Sequence, residues 1–254
     1  MKVTLPRPGN PRAARRAALG LLGVAVLWEL CARAFALPDY VLPRFTRILA
    51  AIVDQHALLL AAARMTVMEA VSGFLLGAGA GILLAIILTM LPRARGVMLP
   101  VATALNSVPV VAYAPLILLW FGMGPESKIV MVALAVGFTV FLHALAGLDR
   151  VDQRAVDLMR SFGADRAAIL WRLRLPAAIP LTAAGMRVST VRAMIVAIVT
   201  EMLGATGGLG WTIFQAVLQI DFVQVWSAIF VASAASLLFF GFVNLLEKRY
   251  IFWK

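Results

Sequence analysis

The chain has 254 residues, of which 63% are hydrophobic and 14% charged, and it carries a net charge of +11. Those proportions exclude an ordinary soluble domain and call for membrane spans. The single cysteine, Cys31, excludes a disulfide framework or a thiolate metal cluster and suits a small apolar filler.

Residues 1–16 form a basic segment, followed by an apolar run over about 17–37. Glu29 and Arg33 interrupt that run four residues apart, a spacing that suits a local pair. No small-x-small cleavage site follows, so the run reads as a retained span and not as a cleaved signal. Segment 43–60 has mixed polarity and predicts an amphipathic helix outside the membrane. A second span is expected over 65–90, where Gly73, Gly77 and Gly81 recur every four residues and favour a close packing seam. The third, over 96–122, is interrupted by Pro100, Pro109 and Pro115. Irregular backbone at membrane depth is tolerated where it is buried or lines a cavity. Pro109, with Asn106 and Ser107 just before it, therefore marks a place to seek a translocation path. A simple packing break explains these residues equally well. A fourth span is expected over 127–148.

The fifth span, 181–204, carries a row of small residues, Gly185, Ser189, Ala193 and Ala197, that suits a seam. Arg192 lies about 17 Å into it, near the bilayer midplane, where an unpaired arginine is costly. Its expected role is an ion pair with a carboxylate on a neighbouring helix; attraction of an anionic solute is the competing role. Arg187, nearer the inner surface, should snorkel to the headgroups. Glu201 lies about 30 Å from the start of the span, near its outer mouth. It either gates the outer vestibule or packs against the Gly204–Gly210 turn, and the second suits an acid beside an anion path better. Segment 211–222 predicts an external re-entrant or surface helix. A sixth span follows over 225–246, then a tail, 247–254. The whole is all-α, with about six spans in one membrane domain over 17–246.

Basic residues orient the spans. With both termini in the cytoplasm, most of the 23 fall inside: Lys2, Arg7, Arg12, Arg15, Arg16, Arg93, Arg95, the arginines of 149–176, Lys248, Arg249 and Lys254. Arg44, Arg47, Arg64 and Lys128 fall outside, a clear positive-inside bias. The same bias accounts for the net charge without nucleic acid as a partner. Trp120, Trp211 and Trp226 then lie at the outer surface, and Tyr250 and Trp253 at the inner one.

The polar segment 149–176, DRVDQRAVDLMRSFGADRAAILWRLRLP, stands between the fourth and fifth spans. Locally it predicts a helical hairpin on the cytoplasmic side. A first helix runs to about Phe162 and closes at Gly163, a residue suited to the left-handed conformation. Asp165 caps a second helix, which should not continue far past Pro176. Leu158, Met159 and Phe162 share one face of the first helix, and Ile169, Leu170 and Leu173 one face of the second.

This segment resembles the EAA loop of permease subunits of binding-protein-dependent ABC importers, E-A-A-x3-G-x9-I-x-L-P. Asp157, Leu158 and Met159 occupy the E-A-A positions, Gly163 is the glycine, and Leu173, Leu175 and Pro176 close the pattern. The resemblance implies that Asp157 to Asp165, with Arg160, Phe162 and Ala164 among them, dock into a cleft of an ATPase subunit. Pro115-Leu116-x3-Trp120-Phe121-Gly122-x-Gly124 with Ser127-Lys128-Ile129, and Glu201-Met202-Leu203-Gly204-Ala205 with Gly208-Leu209-Gly210, are similar to the nitrate/sulfonate/taurine branch. The implied assembly is a bacterial inner-membrane importer. It has two permease copies, two ATPase subunits that bind ATP and Mg, and an external solute-binding protein.

Within the chain there is no G-x-x-x-x-G-K-[ST] phosphate loop. Nor is there a G-x-S-x-G or H-E-x-x-H constellation for covalent or metal-assisted chemistry. A cofactor-free, non-catalytic subunit is therefore expected, with its energy supplied by another polypeptide. An ion-driven carrier would instead show an internal repeat, and none is found.

Overall fold

The computed structural model describes residues 11–251. Lys2, Arg7, Trp253 and Lys254 lie outside the described residues. The architecture is all-α, with no strand among the described residues. In chain order the helices are α1 (Pro11–Ala34), α2 (Phe45–Asp54), α3 (His56–Met90), α4 (Pro92–Ser107), α5 (Ala114–Phe121), α6 (Pro125–Asp149), α7 (Gln153–Ser161), α8 (Arg166–Ile169), α9 (Leu175–Leu203), α10 (Leu209–Leu218) and α11 (Phe222–Tyr250). A 3-10 turn, Val110–Tyr113, precedes α5, and a π turn, Leu170–Arg174, joins α8 to α9. Four stretches are long and apolar enough to cross a bilayer: His56–Met90, Pro125–Asp149, Arg166–Leu203 and Phe222–Tyr250. A further pair, Pro92–Ser107 and Val110–Phe121, is bent by 86°.

The core is α3, α6 and α9 side by side, and small residues make it possible. A Cβ on Gly77 would lie 2.4 Å from the Ala133 carbonyl oxygen, and one on Gly81 2.4 Å from that of Gly137. The expected glycine seam on α3 is therefore the surface on which α6 lies. The small-residue row of α9 is also a seam, because a Cβ on Gly185 would meet the His143 side chain at 2.5 Å. Where leucine adds nothing over lipid, close backbone approach and dispersion hold helices together. Buried Phe74, Met131, Val136 and Met194 fill the centre. Leu59, Leu209, Ile213 and Val225 fill the end beside α10. Leu88, Phe141, Leu148 and Leu170 fill the end beside the 149–176 segment.

Several boundaries differ from the sequence-based expectation. The second span starts at His56 and not at 65, so α3 has 35 residues, about 52 Å, more than a hydrocarbon core of about 30 Å requires. Its first turns take up residues 56–60, and only α2 remains of the amphipathic segment 43–60. Ile48 of α2 is buried, and its carbonyl accepts from Ser227 Oγ of α11 at 3.4 Å. The expected 96–122 span is two helices at a steep angle. Pro100 sits inside α4 without ending it and Pro115 opens α5, so the break falls at Pro109, whose extended backbone separates the two. Helix α10 buries one face, with Leu209, Thr212, Ile213 and Ala216 turned inward, and exposes Phe214, Val217 and Leu218 on the other.

The second hairpin helix does not stop at Pro176. Arg166–Leu203 is one continuous helical stretch of 38 residues. Proline lacks an N–H and its ring clashes with the carbonyl four residues earlier. The π turn Leu170–Arg174 widens the helix just there, which makes room for the ring without a break.

Candidate functional site

The hairpin closes as its sequence dictates. Asp152 opens α7, its carboxylate accepting from Arg154 N at 2.9 Å. At the other end Gly163 has φ +81°, Gly163 N donates to the Arg160 carbonyl at 2.9 Å, and Ala164 N donates to that of Met159 at 3.0 Å. That paired pattern is a Schellman closure. Asp165 then caps the next helix, accepting from Ala168 N at 2.7 Å. A bidentate pair between Arg95 of α4 and Asp149, at 2.8 and 2.6 Å, holds the root of the hairpin.

Burial divides the hairpin into an anchored side and a free side. Val156, Ile169 and Leu170 are buried against the bundle, and Leu173 and Leu175 are half-buried. Leu158 is 59% exposed, Phe162 82% and Trp171 67%, with Met159 half-buried beside them. Asp157 and Arg160 lie 3.6 Å apart on the exposed side, where such a pair contributes little. Phe162 at the tip, flanked by charges, is the kind of anchor that fills a partner's cleft.

The path candidates are not gathered in one place. Asn106 and Ser107 are exposed at the end of α4, and none of that helix is buried. Ser107 Oγ donates back to the Thr103 carbonyl at 3.0 Å, and Tyr113 Oη bridges the break to the Leu105 carbonyl at 3.2 Å. Pro109 is exposed between them. Arg192 is half-buried and has no carboxylate partner among the described residues. Its Nη1 donates to Thr139 Oγ1 of α6 at 3.1 Å, so the expected ion pair is corrected to a neutral hydrogen bond. The pair is found instead at Arg187, which does not snorkel free but meets Glu247 of α11 at 3.2 Å.

Glu201 is fully buried and faces the Gly204–Gly210 turn. Its Oε1 accepts from Thr66 Oγ1 at 2.7 Å and its Oε2 from Gly210 N at 2.6 Å, while Leu209 N donates to Thr66 Oγ1 at 2.8 Å. The carboxylate thus serves the N-terminus of α10, where helix dipole and free N–H groups favour it. Gly208 must be glycine there: its φ is +96°, and a Cβ would come within 2.1 Å of Glu201 Oε1.

Two further charged residues join this cluster. Lys128 and Glu69 are both fully buried. Lys128 Nζ donates to the carbonyls of Met123 (2.7 Å), Gly124 (3.1 Å) and Gly204, tying the α5–α6 turn to the α9–α10 turn. Glu69 lies close enough to feel both Glu201 and Lys128. The signal available was that all three charges stand among apolar residues.

Residues 59–252 match the family of binding-protein-dependent transport system inner membrane components. The chain belongs to that family. A probable ABC transporter permease protein of Haemophilus influenzae is 31% identical over 99% of both chains. The formylaminopyrimidine transport permease protein ThiX of Halalkalibacterium halodurans is 30% identical, covering 93% of this chain and 94% of its own. The taurine transport system permease protein TauC of Escherichia coli is 35% identical over 68% of this chain and 63% of its own. Among solved structures, a chain of an amino acid ABC transporter superposes with a TM-score of 0.64 at 20% identity, covering 79% of this chain and 97% of that one. A chain of a bacterial alginate importer gives 0.60 at 18% identity, covering 94% and 98%. The permease is thus a multi-pass inner-membrane subunit of an ABC importer, similar to the sulfonate and taurine branch, and its fold is that of the ABC permeases.

Proposed function

We propose that this permease forms half of the path for a small anionic solute of the nitrate, alkanesulfonate or taurine type. It transmits to that path the work of a separate ATPase, docked on the 149–176 hairpin. The observation that carries the proposal is the free apolar tip, Leu158 and Phe162, joined through a Schellman turn to a helix continuous with a core span. ATP and Mg are held by that partner, and this chain does no covalent chemistry. A second copy of the chain completes the path. The unburied α4, with Val97, Val101 and Leu105 outward, supports this, because such a surface suits another apolar helix as well as lipid. With about six spans, α1 the first and the bent pair the third, both termini lie on one side, and the basic bias supports the cytoplasm for them and for the hairpin. An external binding protein delivers the solute, and half-buried Arg192 supplies positive potential along its route. One alternative solute class has a specific observation behind it: the ThiX relative matches nearly end to end, which favours a vitamin-precursor pyrimidine.

Affinity purification of the tagged permease, co-expressed with a candidate P-loop ATPase subunit, tests the reading. The expected result is a stable complex whose ATPase activity rises with the loaded binding protein. Purification of the permease alone, with uptake driven by an ion gradient, overturns it. Calorimetry of the binding protein with taurine and with a formylaminopyrimidine decides between the solute classes.

A further inference from the structure

Beneath the hairpin lies a cavity of about 280 Å³ whose rim is basic. Its floor is apolar, made by Leu88, Val156 and Leu170. Arg95, Arg160, Arg166 and Arg174 line it, against the single carboxylate of Asp149. That carboxylate is already engaged by both terminal nitrogens of Arg95. Arg160 has only the weak surface contact with Asp157, and Arg166 and Arg174 have no ion-pair partner among the described residues. An uncompensated positive charge therefore surrounds a recess smaller than the roughly 300–1,000 Å³ of a typical small-molecule site.

The π turn contributes to this placement. Eight residues of ideal α-helix leave the second side chain about 80° past the first. One extra residue in a widened turn reduces the offset to about 20°, so Arg166 and Arg174 reach the same cavity. Thr89 and Met90, the last residues of α3, and Pro92, the first of α4, also line it. The mouth therefore lies where a span leaves the hydrocarbon, at headgroup depth.

We propose that this cavity binds a phosphate-bearing anion at the inner membrane surface, with the headgroup of an anionic phospholipid and free inorganic phosphate as its two possible sources. Guanidinium groups suit phosphate because their planar forks donate in pairs. Basic pockets at the cytoplasmic ends of spans favour anionic headgroups for the same reason. The proposal depends on membrane placement and not on ATPase docking.

Native mass spectrometry of the full-length detergent-solubilised protein, titrated with phosphatidylglycerol, phosphatidylcholine and inorganic phosphate, tests it. Wild type should retain phosphatidylglycerol in preference to phosphatidylcholine, and Arg166→Gln/Arg174→Gln should weaken that retention about 30-fold. Arg150→Gln/Arg154→Gln loses the same charge outside the cavity and should keep it. If the first double variant fails to fold, Arg166→Gln alone should lose about fivefold and Arg166→Lys should lose less. Displacement of the lipid by inorganic phosphate identifies the phosphoryl group alone as sufficient; retention against phosphate identifies the lipid as the source. Equal loss in both double variants, no preference in wild type for phosphatidylglycerol or inorganic phosphate over phosphatidylcholine, or release of the lipid when the ATPase subunit is added overturns the proposal. The last of these would assign the arginines to the subunit interface.

Discussion

Gly163 offers a perturbation whose magnitude follows from geometry alone. Its φ of +81° lies in the left-handed region, and no atom lies within 4 Å of where a Cβ would stand. Substitution therefore introduces backbone strain without a clash. For alanine the strain is about 1–2 kcal/mol, and for a β-branched valine it is greater. The least costly relief is to lose the two closing hydrogen bonds, to Arg160 and Met159, and let the tip of α7 swing. Membrane insertion should be unaffected, because the buried anchors Val156, Ile169 and Leu170 are untouched. If the ATPase needs the closed tip, its affinity falls by the same free energy, about five- to thirtyfold for alanine. Surface plasmon resonance between nanodisc-embedded permease and purified ATPase measures this directly. Gly163→Asn should recover most of the affinity, since asparagine tolerates the left-handed region. Unchanged affinity for Gly163→Ala and Gly163→Val would refute the reasoning, as would an equal loss for asparagine.

Three further outcomes are expected. Arg192→Gln should reduce uptake steeply while thermal stability changes little, because only the Thr139 hydroxyl loses a donor, and Arg192→Lys should keep part of the uptake; undiminished uptake excludes Arg192 from the path. Glu201→Gln should lower the thermal midpoint, by about 1–3 kcal/mol in stability, since its amide cannot accept from both Thr66 and the Gly210 N–H; lost uptake at full stability would return Glu201 to the gate. In a Cys31→Ser background, Arg154→Cys should resist an impermeant thiol reagent in intact cells and Met123→Cys should react, and the reverse pattern would invert the topology.

The turn at Gly163 and the cap at Asp165 were legible because their determinants are local. Each acts through a hydrogen bond to a residue three positions away, and such distances are read directly from spacing. The glycine seam of α3 was legible for a similar reason, since a four-residue repeat defines a helix face without knowledge of the partner. Long-range pairings were not. Nothing near Arg192 specifies that α6 presents Thr139 to it, or that Arg187 takes the only acid of α11. Nor was the burial of Lys128 legible, because its acceptors are carbonyls, which leave no trace in a sequence. Pro176 misled in another way. The rule that proline ends a helix holds for regular i to i−4 bonding, and the π turn before it removes that condition.

That π turn also bears on how force would reach the membrane. Had the helix stopped at Pro176, the hairpin would hang from a loop, and a push on Phe162 would be absorbed by soft dihedrals. Instead Asp165 opens a helix that continues to Leu203, about 57 Å along its axis. Its first turns are clamped by buried Ile169, Leu170 and Ala178, with Ala178 against Gly147 of α6 at contact distance. Its last turn is tied through Glu201 and the Gly204 carbonyl to Thr66 and Lys128. A rigid element held by close packing at both ends moves as a body or not at all, because packed interfaces shift between discrete arrangements and do not deform smoothly. Displacement of the hairpin by a docked ATPase would then carry α9, and with it Arg192, relative to α4, none of whose residues is buried.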